Sequence, residues 1–293
     1  MTMPDPTMPQ ELSSALTSLV SAAATGVVSI SSDRSRWSGF VWRPNLIVTA
    51  EEALPEEGEI AVTFPGGDTI PAIVAGRDPT TDIALLRIER SGEPASLTAS
   101  SLSAGALTVA LGAEDGAPTA ALGVVARATG PWRSLRGGEI DARIELDLML
   151  KRSAEGGIAL DVTGQVIGMT VFGPRRRTLV IPSATIERVA ATLQSQGRIA
   201  RGYIGLSLQP VPIDGGEGSG AMVVSVDPHG PGAAAGLYQG DMIVAWNSEP
   251  IRSVHSLVRA LGADSIGQTI GLDVRRAGEM RQISLTIGER TAA

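Results

Sequence analysis

The sequence predicts a mainly β chain in two parts, and three observations carry that reading. Short apolar runs rich in Val, Ile and Leu recur between residues 26 and 182, bounded by Gly, Pro and Asp with no long helical period between them. Such spacing indicates a sandwich or barrel. One strong helix signal, residues 182–197, then closes the stretch. A second series of short runs follows it to about residue 287. With 293 residues, each part is large enough to bury its own core. Hydrophobic content of 43% against 19% charged residues is that of a globular chain.

Taken in order, residues 1–9 are Pro-rich and expected to fray. Residues 10–24 place Leu12, Leu16, Leu19, Val20 and Ala23 on one stripe of a short helix. The expected strands are then 26–30, 46–49, 60–64, 70–75, 83–88, 107–111, 122–128, 140–146, 157–160, 166–171 and 179–181. In the helix that follows, Ser183 can cap, Ile186, Val189, Ala190 and Leu193 form the apolar face, and Gly197 ends it. Residues 198–201 read as a linker. Beyond it come an expected strand at 221–226, a helix at 253–261 and strands at 269–275 and 281–287. Residues 211–220, containing Gly215-Gly-Glu-Gly-Ser-Gly220, read as a flexible insert.

Composition excludes several function classes. A net charge of −7 argues against a nucleic-acid partner, because phosphate affinity needs clustered cations. With no cysteine there can be no disulfide, thiolate metal site or cysteine nucleophile. No stretch reaches the ~20 apolar residues that span a bilayer. Residues 12–30 are moderately apolar, but their flank Met1-Thr-Met-Pro-Asp5 lacks the basic region of a signal peptide, and the first cation is Arg34. On these grounds the chain is expected to be cytoplasmic.

Three segments carry a resemblance. They are Gly39-Phe-Val-Trp-Arg-Pro-Asn-Leu-Ile-Val-Thr-Ala-Glu-Glu-Ala-Leu54, Gly76-Arg-Asp-Pro-Thr-Thr-Asp-Ile-Ala-Leu-Leu-Arg-Ile88, and Leu148-Met-Leu-Lys-Arg-Ser-Ala-Glu-Gly-Gly-Ile-Ala-Leu-Asp161. In this order they resemble the histidine, aspartate and serine segments of trypsin-like serine proteases of the HtrA/Deg family. Gly202-Tyr-Ile-Gly-Leu206, Ala233-Ala-Ala-Gly-Leu237 and Gly240-Asp-Met-Ile-Val-Ala-Trp-Asn247 are similar to a PDZ domain. The resemblance implies a tail and short helix over 1–24, a chymotrypsin-like pair of six-stranded β-barrels over 25–198, and an α+β PDZ domain over 199–290.

The resemblance also places the catalytic triad. The family's aspartate falls on Asp82, its histidine on Glu52 and its serine on Glu155. Gly156 and Gly157 keep the glycines that follow the serine, whereas Ser153 replaces the one two places before it. Both histidines, His229 and His255, lie beyond the barrel region, so no imidazole is in reach of a nucleophile there. Lys151 and Ser153, two apart, are not placed to act as a pair. The expectation is a catalytically degenerate homologue, not an enzyme, with an oxyanion loop in another conformation.

If Glu52, Asp82 and Glu155 converge, three carboxylates cannot all stay ionised without cost, so one protonates or a cation binds. Oxygen ligands would favour Ca²⁺, Mg²⁺ or Mn²⁺. The simpler alternative is drift, with the two glutamates turned to water, and no cofactor or metal is expected. The PDZ resemblance implies that Tyr203-Ile-Gly-Leu206 holds a peptide's terminal carboxylate while Leu206-Ser-Leu208 pairs with the peptide as an added strand. Leu257 and Leu261 would complete an apolar pocket, His255 sits near the start of the helix, and His229 is in a turn. The function expected is a scaffold, adaptor or chaperone that binds C-terminal tails of partner proteins. The alternative is a cation-dependent enzyme or cation-binding protein using the three carboxylates. Oligomerisation is left open.

Overall fold

The computed structural model describes residues 7–33, 35–98, 102–212, 219–251 and 253–289. Most of the Pro-rich start, and residues 213–218 of the expected insert, lie outside this set. The chain divides into two units, Met1–Trp132 with Ile140–Arg198, and Arg133–Glu139 with Ile199–Ala293. The division is thus not continuous in sequence, because Arg133–Glu139 groups with the C-terminal unit.

The first unit opens with α1 (Met8–Ala23), whose Thr7 and Gln10 form a reciprocal capping box. None of its side chains is fully buried. Six strands follow: β1 (Val27–Ser31), β2 (Arg36–Arg43), β3 (Leu46–Thr49), β4 (Ile60–Thr63), β5 (Thr69–Asp78) and β6 (Ile83–Ile88). They close a barrel in the order β1-β2-β3-β6-β5-β4. Its interior is filled by Val28, Ile30, Trp37, Val41, Ile47, Val62, Phe64 and Leu86. The sequence reading missed β2. Ser38 and Gly39 interrupt its apolar pattern, yet positions 37–42 are all buried, because this strand is covered on both faces.

A second closed barrel has the order β11-β14-β13-β12-β7-β8. Its strands are β7 (Leu107–Glu114), β8 (Ala117–Thr129), β11 (Arg143–Asp147), β12 (Ile158–Asp161), β13 (Val166–Phe172) and β14 (Thr178–Pro182), with a short ribbon β9 (Trp132–Arg133) and β10 (Glu139–Ile140) between. Its core is built on Val125, Ile144, Leu146, Ala159, Ile167 and Val180. Glu145, on β11, is buried but paired with Arg143 at 2.7 Å and Arg177 at 3.1 Å, which hold its carboxyl below the usual range.

Helix α2 (Ser183–Gln196) buries Ile186, Val189, Ala190 and Leu193, and Gly197 closes it. Each large side chain there contributes about 1.5–3 kcal/mol of burial, more than a cap typically does. Ser183 does not cap this helix. Pro182 holds the cap position, and the Ser183 hydroxyl donates to the Val166 carbonyl at 2.9 Å.

The second unit holds a two-stranded pair of β15 (Gly202–Tyr203) and β22 (Gly288–Glu289), and a sheet in the order β16-β17-β18-β20-β21 with β19 beside β18. Its strands are β16 (Leu206–Pro212), β17 (Ser219–Val226), β18 (Met242–Trp246), β19 (Glu249–Pro250), β20 (Thr269–Arg276) and β21 (Glu279–Thr286). Helices α3 (Pro231–Ala234) and α4 (Val254–Ala260) complete it. Val223, Leu237, Ile243, Leu257, Leu272 and Leu285 form its core. The end of the expected insert is strand, since β17 begins at Ser219. Among the described residues, no helix is long and apolar enough to cross a membrane.

Candidate functional site

Two loops marked by glycine are the candidates, one in each unit. In the first unit, Asp78 prepares the position of Asp82. Its carboxylate accepts from the Thr80 N–H and hydroxyl and from the Thr81 hydroxyl, all at 3.0 Å or less, and so fastens the turn before β6. Asp82 follows with φ 58°, a left-handed conformation that aspartate tolerates. Its Oδ1 accepts the Glu52 N–H at 2.7 Å, and its carbonyl accepts the Glu51 N–H at 3.3 Å. Burial raises the Asp82 carboxyl to about 7 against that hydrogen bond, and the charges of Glu52, Glu155 and Glu51 push the same way. Glu155 is raised too, by burial first and by Glu52, although the Phe172 N–H offsets part of it. The three acidic positions therefore meet in one field. Glu52 itself is exposed, Glu155 is half-buried, and Glu51 is paired with Arg77 at 3.5 Å. Among the described residues no group of three or more His, Cys, Asp or Glu side chains is arranged to hold a metal ion. The cation-dependent alternative therefore draws no support from the geometry.

The loop carrying Glu155 is folded onto itself. Arg152–Ala154 is one turn of 3₁₀ helix, in which the Glu155 N–H donates to the Arg152 carbonyl at 3.2 Å and the Ala154 N–H to the Lys151 carbonyl at 3.0 Å. An oxyanion hole needs such amides to point at a bound oxygen. Here the Glu155 amide is spent internally. Ser38, on β2, clamps the turn: its hydroxyl donates to the Ser153 carbonyl at 2.6 Å and accepts the Ala113 N–H at 2.8 Å. Its own N–H donates to the Glu155 carbonyl at 2.8 Å. Gly156 has φ 81°, and a Cβ there would stand 2.3 Å from the Ser38 carbonyl oxygen. The backbone needs glycine at this point.

The loop of the second unit is open. The Ile204 carbonyl accepts the Gly232 N–H at 2.8 Å and the Gly205 carbonyl accepts the Asp227 N–H at 2.9 Å. Both carbonyls are thus tied back, while the Ile204 and Gly205 N–H groups donate to no acceptor among the described residues. Gly205 reaches this shape with φ 71°, its would-be Cβ 3.0 Å from Gly230 Cα. The loop borders a cavity of about 420 Å³ lined by the apolar Ile204, Leu206, Val258 and Leu261 and by the polar Ser207, Ser225 and Asp227. Tyr203 and Arg201 stand at the same cavity.

Of the residues expected to bind peptide, Tyr203, Ile204, Gly205, Leu206, Ser207 and Leu261 meet here. Two do not. Leu257 is buried in the core at 2% exposure, and Leu208 packs against that core. The side chain that reaches the cavity from α4 is Val258, one residue on and 40% exposed. A helix of seven residues gives too little periodicity to tell these neighbours apart from sequence. His255 is exposed and absent from the cavity wall, and the His229 N–H donates to Asp227 Oδ1 at 3.0 Å in its turn.

Two closed six-stranded barrels carrying an acidic cluster, followed by a sheet with an open amide loop at its edge strand, define a trypsin-like peptidase domain followed by a PDZ domain. The trypsin-like peptidase domain family matches residues 37–169 and the PDZ domain family matches residues 202–287. A protein of Brucella suis named "Probable periplasmic serine endoprotease DegP-like" is 30% identical over 267 residues, covering 85% of this chain and 52% of that one. A protein of the same name from Chlamydia muridarum is 30% identical over 271 residues, covering 87% and 54%. The crystal structure of the serine endoprotease from Yersinia pestis has a TM-score of 0.70 at 25% identity, covering 94% of this chain and 98% of that one. The "HtrA-type protease AlgW with decapeptide" shares the fold, with a TM-score of 0.69 at 20% identity, covering 94% of this chain and 99% of that one. The chain belongs to the HtrA family. It spans about half the length of the curated relatives it matches.

Two expectations are corrected by these relatives. The chain was expected not to be an enzyme, and that expectation is overturned by its relatives, which are named serine endoproteases. Glutamate at positions 52 and 155 does not by itself show inactivity. A cytoplasmic location was also expected, and that expectation is overturned by the relatives, which are named periplasmic. The residues at the start of the sequence were the wrong evidence for a compartment.

Proposed function

We propose that this HtrA-family chain captures C-terminal tails of partner proteins in the groove of its PDZ domain and so acts as a scaffold, adaptor or chaperone. The observation that carries this reading is the pair of unengaged N–H groups at Ile204 and Gly205, beside an apolar wall of Val258 and Leu261. Successive free amides take a terminal carboxylate, and the wall takes the last side chain. Strand β16 ends its sheet, so its outer edge offers a ladder to an incoming strand.

The test is isothermal titration of the full chain with peptides ending in a free carboxylate after a small apolar residue, beside the same peptides amidated. Saturable binding that amidation weakens by at least about tenfold fits carboxylate capture. A Val258→Glu variant, changing a side chain that is 40% exposed, should keep its fold and lose the binding. No binding by any peptide of a varied set sinks the proposal.

The names of the relatives favour a second activity, peptide-bond hydrolysis. In the barrel unit there is no histidine, so proton transfer in that reading falls to carboxyls, of which Asp82, raised by burial to about 7, lies near neutrality and Glu155 is raised too. Incubation with an unfolded protein, with products identified by mass spectrometry, tests it. Loss of cleavage in Asp82→Asn supports the role of that carboxyl.

A further inference from the structure

Resting on the peptide-capture reading, we infer that Asp227 makes the PDZ groove select peptides whose penultimate residue is lysine or arginine. The argument begins with alternation along β16 and β17. Leu206 and Leu208 are partly buried and turned to the core, whereas Ser207 and Gln209 between them are exposed. Leu206 pairs with Val226 and Ser207 with Ser225. Val226 packs on the core, Ser225 is exposed, and Asp227 follows directly on the end of β17 and lines the same cavity as Ser207 and Ser225.

A peptide added along the free edge of β16 obeys the same alternation. With its carboxylate at the Ile204 and Gly205 amides and its last side chain on Val258 and Leu261, the side chain before it faces the other way. That is the face of Ser207 and Ser225, which line the cavity together with Asp227. Neighbouring strands lie ~4.8 Å apart, so β17 stands roughly 10 Å from the added strand. Short side chains fall short of that distance, whereas an extended lysine or arginine covers it together with the reach of the Asp227 side chain and the ion-pair contact itself. The hydrogen bond from the Asp227 N–H to Gly205 sets the carboxylate level with the end of the peptide.

Asp227 is built to stay charged. Its Oδ2 accepts the Tyr203 hydroxyl at 2.7 Å and its Oδ1 the His229 N–H at 3.0 Å, leaving a lone pair on each oxygen. Among the described residues no lysine or arginine pairs with it. His229 is the titratable neighbour in its own turn, and the Arg201 guanidinium, across the cavity, is held by the Arg136 carbonyl.

The experiment is fluorescence polarisation of the full chain with labelled decapeptides that differ only before a terminal leucine, carrying lysine, alanine or glutamate there. The wild type should bind the lysine peptide at least about fivefold more tightly than the glutamate peptide, and the ratio should shrink towards one near ~1 M salt. In Asp227→Asn the ratio should fall to near one at low salt. A ratio that the substitution leaves unchanged, or a wild-type ratio of one, overturns this inference while the capture reading stands. Binding by none of the three peptides overturns both.

Discussion

The Glu155 loop and the Gly205 loop make the same local choice and arrive at opposite results. Each places a glycine in the left-handed region, at φ 81° for Gly156 and φ 71° for Gly205, beside a backbone that leaves no room for a side chain. At Glu155 the amide turns back to the Arg152 carbonyl and Ser38 locks the turn from the neighbouring barrel. At Gly205 it is the carbonyls that are tied down, to Gly232 and Asp227, and the amides are left over. Which half of the peptide group the scaffold consumes decides whether a loop can receive an anion. Of the two loops, the one at Gly205 is thus the one with amides left over for an anion.

The largest expected effect comes from filling either glycine. Gly156→Ala puts a methyl 2.3 Å from a backbone oxygen at a position that already needs φ 81°. It should cost about 3 kcal/mol or more and appear as a marked fall in the melting temperature of the barrel unit. Gly205→Ala meets its nearest atom at 3.0 Å and should cost less stability while weakening carboxylate capture. If the two variants lose stability equally, the closed and open loops are not different in kind.

The carboxylate field gives an intermediate effect whose sign is fixed. Asp82 keeps its proton up to about 7 when folded but gives it up near 3.8 when unfolded. Its contribution is therefore most favourable at low pH, declines as pH rises from 3.8 to about 7, and is fully lost above that. Asp82→Asn can still accept the Glu52 N–H and carries no charge. It should be more stable than wild type by about 2 kcal/mol at pH 8, with the difference closing towards pH 4. Denaturant titrations across that range check it, and a constant difference would mean that burial does not raise the Asp82 carboxyl.

The smallest effect belongs to the clamp. Ser38→Ala removes a buried hydroxyl that serves both Ser153 and Ala113, at a cost of about 1–2 kcal/mol. The sharper readout is hydrogen exchange. The Glu155 amide should exchange faster in the variant, and the Gly205 amide, already open, should not change.

Particular residues show what was legible beforehand. The strands at 46–49 and 83–88 were read to the residue, because apolar runs bounded by turn residues suit strands buried on both faces. Strand β2 was not, because Ser38 and Gly39 hide the row of Trp37, Phe40 and Trp42. Asp82 was found through the motif around it, but its raised pKa was not, since that depends first on burial under distant segments and then on the charges of Glu52 and Glu155. Leu257 was taken for Val258 because rotation of a short helix is set by what it packs on, here the core around Ile243 and Leu272.

By itself the sequence determined the element types, the two-part order and the places where glycine is obligatory. These follow from local steric limits and from the spacing of apolar residues. Only the tertiary structure decided that the Glu155 amide is consumed, that the Gly205 amide is free, and that Asp227 lines the same cavity as Ser207. Each of these depends on which distant backbone group comes within hydrogen-bond reach. Such proximity is set when barrels close and strands pair, a property of packing that no local stretch encodes.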